Sequence, residues 1–157
     1  MKALIIYDSY FGNTEKIAKA LPQSFSKNDT VAVSNVKDFT PKLLNNLDLL
    51  IVGSPTRAFS ATEGITKFLK ALPNDSLSGI KVASFDTRVN TKKVNNILLN
   101  FLVSIFGYAA EPILKKLVKK GGEPILQPEG FFVEESEGPL SQGEMERVKN
   151  WIENIKI

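Results

Sequence analysis

The sequence predicts an α/β domain of three layers, with a five-stranded parallel sheet between helices. Three observations predict it. Short apolar runs at Leu4–Tyr7, Asp48–Gly53 and Ile80–Phe85 read as strands buried on both faces. Segments with helical spacing separate them, and such alternation argues a parallel sheet flanked by helices. The chain has 157 residues, which suits one domain, 1–157, with a single core.

The first strand, Leu4–Tyr7, runs into Asp8–Asn13, which is polar and small enough to turn. Thr14–Leu21 then carries Ile17, Ala18 and Leu21 at helical spacing. A unit of strand, hydroxyl-rich loop and helix sets unpaired N–H groups and hydroxyls at a helix N-terminus, where phosphate is favoured. Ser9, Asn13 and Thr14 supply side-chain donors there, and Gly12 lets the backbone come close. Pro22–Asp29 is a loop, Thr30–Val36 alternates as a second strand, and Pro41–Leu47 is a short helix or turn. Asp48–Gly53 is the third strand and Ser54–Ser60 a loop. Ser60-Ala61-Thr62-Glu63 reads as a capping box, opening a helix with Ile65, Phe68, Leu69 and Leu72 inward.

Pro73–Gly79 returns the chain to the fourth strand, Ile80–Phe85. Asp86–Gly121 is mostly helical. Pro124–Val133 holds a fifth strand, interrupted by Pro128 and Gly130. Ser141-Gln142-Gly143-Glu144 reads as a second capping box, and Met145, Val148, Trp151, Ile152 and Ile155 as the inner face of the last helix. Right-handed crossovers restrict the topologies. Order 2-1-3-4-5 would set the first strand beside the third, with a ligand crevice at their carboxyl ends. The loops leaving strands 1, 3 and 4 then meet over one ligand.

Composition narrows the chemistry. The chain has no Cys and no His. That excludes disulfides, thiolate nucleophiles and the commonest general base and metal ligand. Any enzyme here must rely on a cofactor. Net charge is +3 with pI about 9.0. Lys115-Lys116 and Lys119-Lys120 read as solvated helix faces, and without interleaved aromatics no nucleic-acid partner is expected. The N-terminus enters a strand directly with no signal peptide, and no apolar run reaches ~18–20 residues. No transmembrane segment and a cytoplasmic location are therefore expected.

The run Ser9-Tyr10-Phe11-Gly12-Asn13-Thr14, followed by Glu15, resembles the S/T-x-x-G-N-T phosphate loop of flavodoxins. No GxGxxG follows the first strand and no GxxxxGK[ST] occurs. The resemblance spans nearly the whole chain, including Gly121-Gly122-Glu123 and Trp151, which we read as core. It implies a flavodoxin-like fold, FMN as cofactor and electron transport as function. It places the phosphate on Ser9–Thr14 and the ring between Pro55-Thr56-Arg57-Ala58-Phe59 and the loop Asp86-Thr87-Arg88. Either Arg57 or Phe59 is the inner stacking residue. The competing readings are a surface ion pair for Arg57 and, for Phe59, a hydrophobic staple at the position before the helix cap. Ala58 stands where many flavodoxins have Gly. Non-Gly residues resist positive φ, so the one-electron-reduced cofactor is expected to be less stabilised, favouring two-electron behaviour.

The chain departs from the family pattern in two ways. Flavodoxin carriers are usually acidic; this chain is basic, which would steer an acidic partner in. Second, Val89–Phe106 intervenes before Gly107-Tyr108-Ala109-Ala110-Glu111, where the pattern resumes. Within it, Ile97–Phe106 is apolar except for Asn100 and Ser104, and a helix apolar nearly all round needs cover on more than one side. A lid over the cofactor and a homodimer contact through Ile97–Phe106 are the main readings. Membrane attachment is weaker, with basic residues only at Lys92 and Lys93. No outer-face Tyr lies near Asp86–Arg88. The expected function is FMN-dependent electron transfer to a redox partner protein. The alternatives are an NAD(P)H:quinone-type oxidoreductase with a small quinone-like acceptor, and a flavin-free interaction module.

Overall fold

The computed structural model describes residues 1–90 and 96–155. The expected basic start of the inserted segment, Lys92 and Lys93, lies outside the described residues. The strands are β1 (Lys2–Tyr7), β2 (Thr30–Asn35), β3 (Leu49–Pro55), β4 (Lys81–Val89), β5 (Glu123–Pro124) and β6 (Glu129–Val133). The helices are α1 (Asn13–Ala20), α2 (Glu63–Ala71), α3 (Ile97–Phe106), α4 (Ala110–Lys119) and α5 (Glu144–Glu153), with 3-10 turns such as Pro41–Leu44 between.

The sheet order is β2-β1-β3-β4-β5, all neighbours parallel, and β6 continues along β4 beyond β5. The expected order 2-1-3-4-5 therefore holds. The fifth strand is two pieces, with Pro128 and the adjoining segment between them. Strand alternation divides the core. Leu4, Ile6, Leu50 and Val52 face α2 and α4, meeting Ile65, Phe68, Ile113 and Leu117. Ala3, Ile5, Ile51 and Phe85 face α1 and α5, meeting Ile17, Ala18, Val148 and Ile152. Each large side chain so buried stabilises the fold by roughly 1.5–3 kcal/mol. Trp151 is core, its ring edge-on to Phe85 and Phe131 at 6.1 and 6.0 Å, its Nε1 donating to Gln127 O at 3.1 Å.

Four expectations need correction. The fourth strand does not stop at Phe85. Asp86–Val89 pair with Ser54 and Pro55 on one side and with Gly130–Val133 on the other, so backbone bonds on both edges hold the expected loop as strand. Thr62, not Ser60, caps α2, its Oγ1 accepting from Ile65 N–H at 3.3 Å. Ser141 does not cap α5. That helix follows Gly143 at φ 85° with no side-chain cap. The inner face of α5 then takes Glu144 in place of Met145. The Glu144 carboxylate is buried and accepts from Phe132 N–H at 2.8 Å and from Arg147 at 2.6 Å, whereas Met145 is exposed.

The inserted helix is present as α3. Ile97, Leu98, Phe101 and Ile105 are 87, 66, 59 and 57% exposed, so no described segment of the chain covers that stripe. The stretch Ile97–Lys119 is also 23 residues long and its mean hydropathy reaches 1.7, enough by length and composition to cross a membrane, contrary to the expectation of no run that long. It is folded as two helices, broken at Gly107 with φ 70°. The second, α4, buries Ala110, Ile113 and Leu117 against the sheet as a core helix does.

Candidate cofactor-binding site

Gly12 precedes α1 with φ 84°, a left-handed conformation that suits glycine. Its N–H donates to Ser9 Oγ at 3.0 Å, which curls the loop. No side chain caps α1, and the N–H groups of Asn13, Thr14 and Glu15 have no acceptor among the described residues. They therefore form an anion-receptive end with the helix dipole behind it. Close by, the Glu15 carboxyl is held below its usual range by Lys19 first and then by the Tyr7 hydroxyl, which donates to it at 3.1 Å.

A cavity of about 420 Å³ opens on this loop. Ser9, Tyr10, Phe11, Asn13 and Thr14 form one side, Pro55, Thr56, Arg57 and Ala58 a second, and Thr87, Arg88 and Val89 a third. Ser136 and Glu137 form its lip. Thr56 N–H donates to Thr87 O at 2.9 Å and Thr56 Oγ1 accepts from Ala109 N–H at 3.0 Å, so the segments around the cavity are tied to one another.

The structure thus gathers eleven of the fourteen residues the sequence singled out. The exceptions are Gly12, which shapes the loop without lining the cavity, Phe59 and Asp86. Asp86 is fully buried; it takes Arg88 in a two-pronged ion pair at 2.5 and 2.6 Å and accepts from Ala110 N–H at 2.8 Å. Burial pushes its carboxyl up, and Arg88 and the Ala110 N–H pull against that. Phe59 is not at the staple position, because the cap is Thr62 and the preceding residue is Ala61. Arg57 has no ion pair among the described residues; its guanidinium lies 5.3 and 5.6 Å from the ring centres of Tyr10 and Phe11, bridging the first and second segments. Ala58 and Phe59 take φ 43° and 64°, the conformation expected to be resisted there. Arg57 and Ser60 exchange both backbone bonds, at 2.8 and 2.9 Å, so the tip is a two-residue turn of the mirror-image type.

Sequence reading missed Val89, Val133, Ser136 and Glu137. Val89 was hidden by ending the fourth strand early. The Gly138-Pro139 pair marks a turn, but nothing local connects it to Asn13, whose Nδ2 donates to Glu137 O at 3.0 Å across 124 positions. Of the inserted segment Val89–Phe106, Val89 lines this cavity, and among the described residues none of α3 does.

A doubly wound parallel sheet, with an uncapped helix opening into a cavity at the ends of β1, β3 and β4, defines a flavodoxin-type domain. The sequence matches the flavodoxin domain family over residues 4–102, and the chain belongs to that family. Among solved structures it is similar to a flavodoxin from the domain Archaea, with TM-score 0.77 and 22% identity over 98% of this chain and 95% of that one. It is also similar to oxidised Flavodoxin 1 of Bacillus cereus (TM-score 0.75, 18% identity, 98% and 96% covered) and to oxidised Flavodoxin 2 of the same organism (0.71, 25%, 98% and 97%). No curated protein matches the sequence.

Proposed function

We propose that this chain is an FMN-binding electron-transfer protein. The observation that carries the reading is the uncapped start of α1, where the Asn13, Thr14 and Glu15 N–H groups lack acceptors beside a cavity of about 420 Å³. The donor set fits a phosphate, and the cavity has the size of a cofactor site. FMN bound there would supply reversible electron uptake through its ring. The loop Ser9–Thr14 would hold the phosphate, and Pro55–Ala58 with Thr87–Val89 would flank the ring. Arg57 favours negative charge in the cavity. A cytoplasmic location and a redox partner protein belong to the same reading, and the basic balance of the chain favours an acidic partner.

The test is reconstitution. FMN added to the flavin-free protein is expected to bind one to one with quenched flavin fluorescence, and Ser9→Ala is expected to weaken it. A folded protein that rejects FMN would overturn the proposal and leave an interaction module. The second reading is a stand-alone NAD(P)H:quinone-type oxidoreductase. It is favoured by a second cavity that adjoins the first at Arg88. NAD(P)H oxidation by the reconstituted protein without a partner protein would select it.

A further inference from the structure

We propose that the open cavity lined by Arg88, Asn90, Asn100, Ser104, Tyr108 and Phe132 is a second ligand site, taking a small planar uncharged molecule that carries carbonyl or hydroxyl groups. The cavity measures about 680 Å³ and lies between α3 and the carboxyl end of β4. Arg88 lines both it and the cavity beside α1, so the two sites are one side chain apart.

That wall is built firmly. The Arg88 guanidinium is fixed by the fully buried Asp86, and it lies 3.7 Å from the centre of the Tyr108 ring. Gly130 leaves room for it: a Cβ there would come within 2.1 Å of the guanidinium. The pairing also bears on the charge of the ligand. Arg88 is the only charged residue lining the cavity among the described residues, and Asp86 neutralises it. Among the described residues, neither an anion nor a cation finds an unpaired opposite charge there.

Hydrogen bonding remains available. The Asn90 and Asn100 carboxamides are half-buried and have no side-chain partner among the described residues. Each offers one acceptor and two donors. Ser104 Oγ donates to Phe101 O at 2.6 Å, which leaves its oxygen free to accept. Such groups match carbonyls and hydroxyls, while Val103 and Phe132 supply the apolar surface a ring needs.

The polarity of α3 supports the same conclusion. Asn100 and Ser104 are the polar breaks in an otherwise apolar helix, and their spacing of four puts them on one face. That face, with Val103, lines the cavity, with Asn100 half-buried and Ser104 exposed at its rim. A ligand in the cavity can reach both polar side chains, the half-buried Asn100 and the exposed Ser104.

The experiment is calorimetric titration of the full flavin-free chain with 1,4-naphthoquinone, then with naphthalene-1-carboxylate. One-to-one binding of the quinone is expected, with the carboxylate weaker. Asn100→Leu should weaken the quinone roughly tenfold, the worth of one or two hydrogen bonds, and Ser104→Ala by a smaller factor. Circular dichroism checks that each variant folds. Ser9→Ala, in the other cavity, should leave quinone binding unchanged, and saturating FMN should not displace the quinone. Absence of binding, equal affinity in Asn100→Leu, tighter binding of the carboxylate, or displacement by FMN would each overturn the proposal. Failure of FMN to bind would leave this result standing, because the titration is read without cofactor.

Discussion

The hydroxyls of Thr14 and Thr87 lie 2.8 Å apart in a buried contact. It joins the first turn of α1 to the end of β4, two of the three sides of the proposed cofactor site. Thr87→Val leaves the Thr14 hydroxyl buried without its partner and should cost about 1–3 kcal/mol. The double variant Thr14→Val/Thr87→Val removes both polar groups and should recover part of that loss. Urea unfolding checks the stabilities. FMN titration of the double variant should show affinity still reduced, since a hydroxyl at the phosphate loop is gone. Equal stability of the single variant and the wild type would refute the coupling.

Ala58 and Phe59 occupy the two left-handed positions of the Arg57–Ser60 turn. A non-Gly residue there carries a strain of roughly 1–2 kcal/mol, part of which glycine gives back through its freer unfolded chain. Ala58→Gly should therefore stabilise the protein by about 0.5–1 kcal/mol, raising Tm by about 1–3 °C. Differential scanning calorimetry reads the shift. A fall in Tm would mean that the turn is unstrained.

The sheet was legible because its evidence is local. Leu4-Ile5-Ile6-Tyr7 and Leu49-Leu50-Ile51-Val52 are continuous apolar runs, and each residue is buried on one face or the other. The loop Ser9–Thr14 was legible for the same reason, since its residues are consecutive. What the sequence hid depends on distant partners. Asp86–Val89 is strand because β3 and β6 lie on either side of it, and a short run cannot announce its neighbours. Ser136 and Glu137 reach the cavity through Asn13. Helix caps were misread because they depend on backbone angles. Gly143 at φ 85° ended the expected Ser141 box, whose hydroxyl is buried without a partner among the described residues.

The corrected face of α5 has a direct consequence. Met145 is exposed, while Ile152 is buried beside Trp151 in the core. Met145→Gln should change stability by no more than about 0.5 kcal/mol, and Ile152→Ala should cost about 2–5 kcal/mol. Guanidinium unfolding of the two variants decides between the faces. A large loss for Met145→Gln would restore the inner face read from the sequence.

Tyr7 gives the fold an alkaline limit. It ends β1 under the start of α1, is buried, and donates its hydroxyl to Glu15 at 3.1 Å. Burial raises its pKa above the usual 10.0, and the bond to Glu15 and that carboxylate's charge raise it further. The folded protein therefore keeps the phenolic proton at a pH where the unfolded chain has released it. The stability from this group is fully present below pH 10.0 and is lost as pH rises through the higher folded pKa. Tyr7→Phe has no proton to lose. Urea unfolding between neutral and strongly alkaline pH should show the wild type declining more steeply than Tyr7→Phe above pH 10.0, with parallel curves below it. Parallel curves throughout would show that Tyr7 titrates alike in the folded and unfolded states and that its bond to Glu15 contributes nothing to the fold.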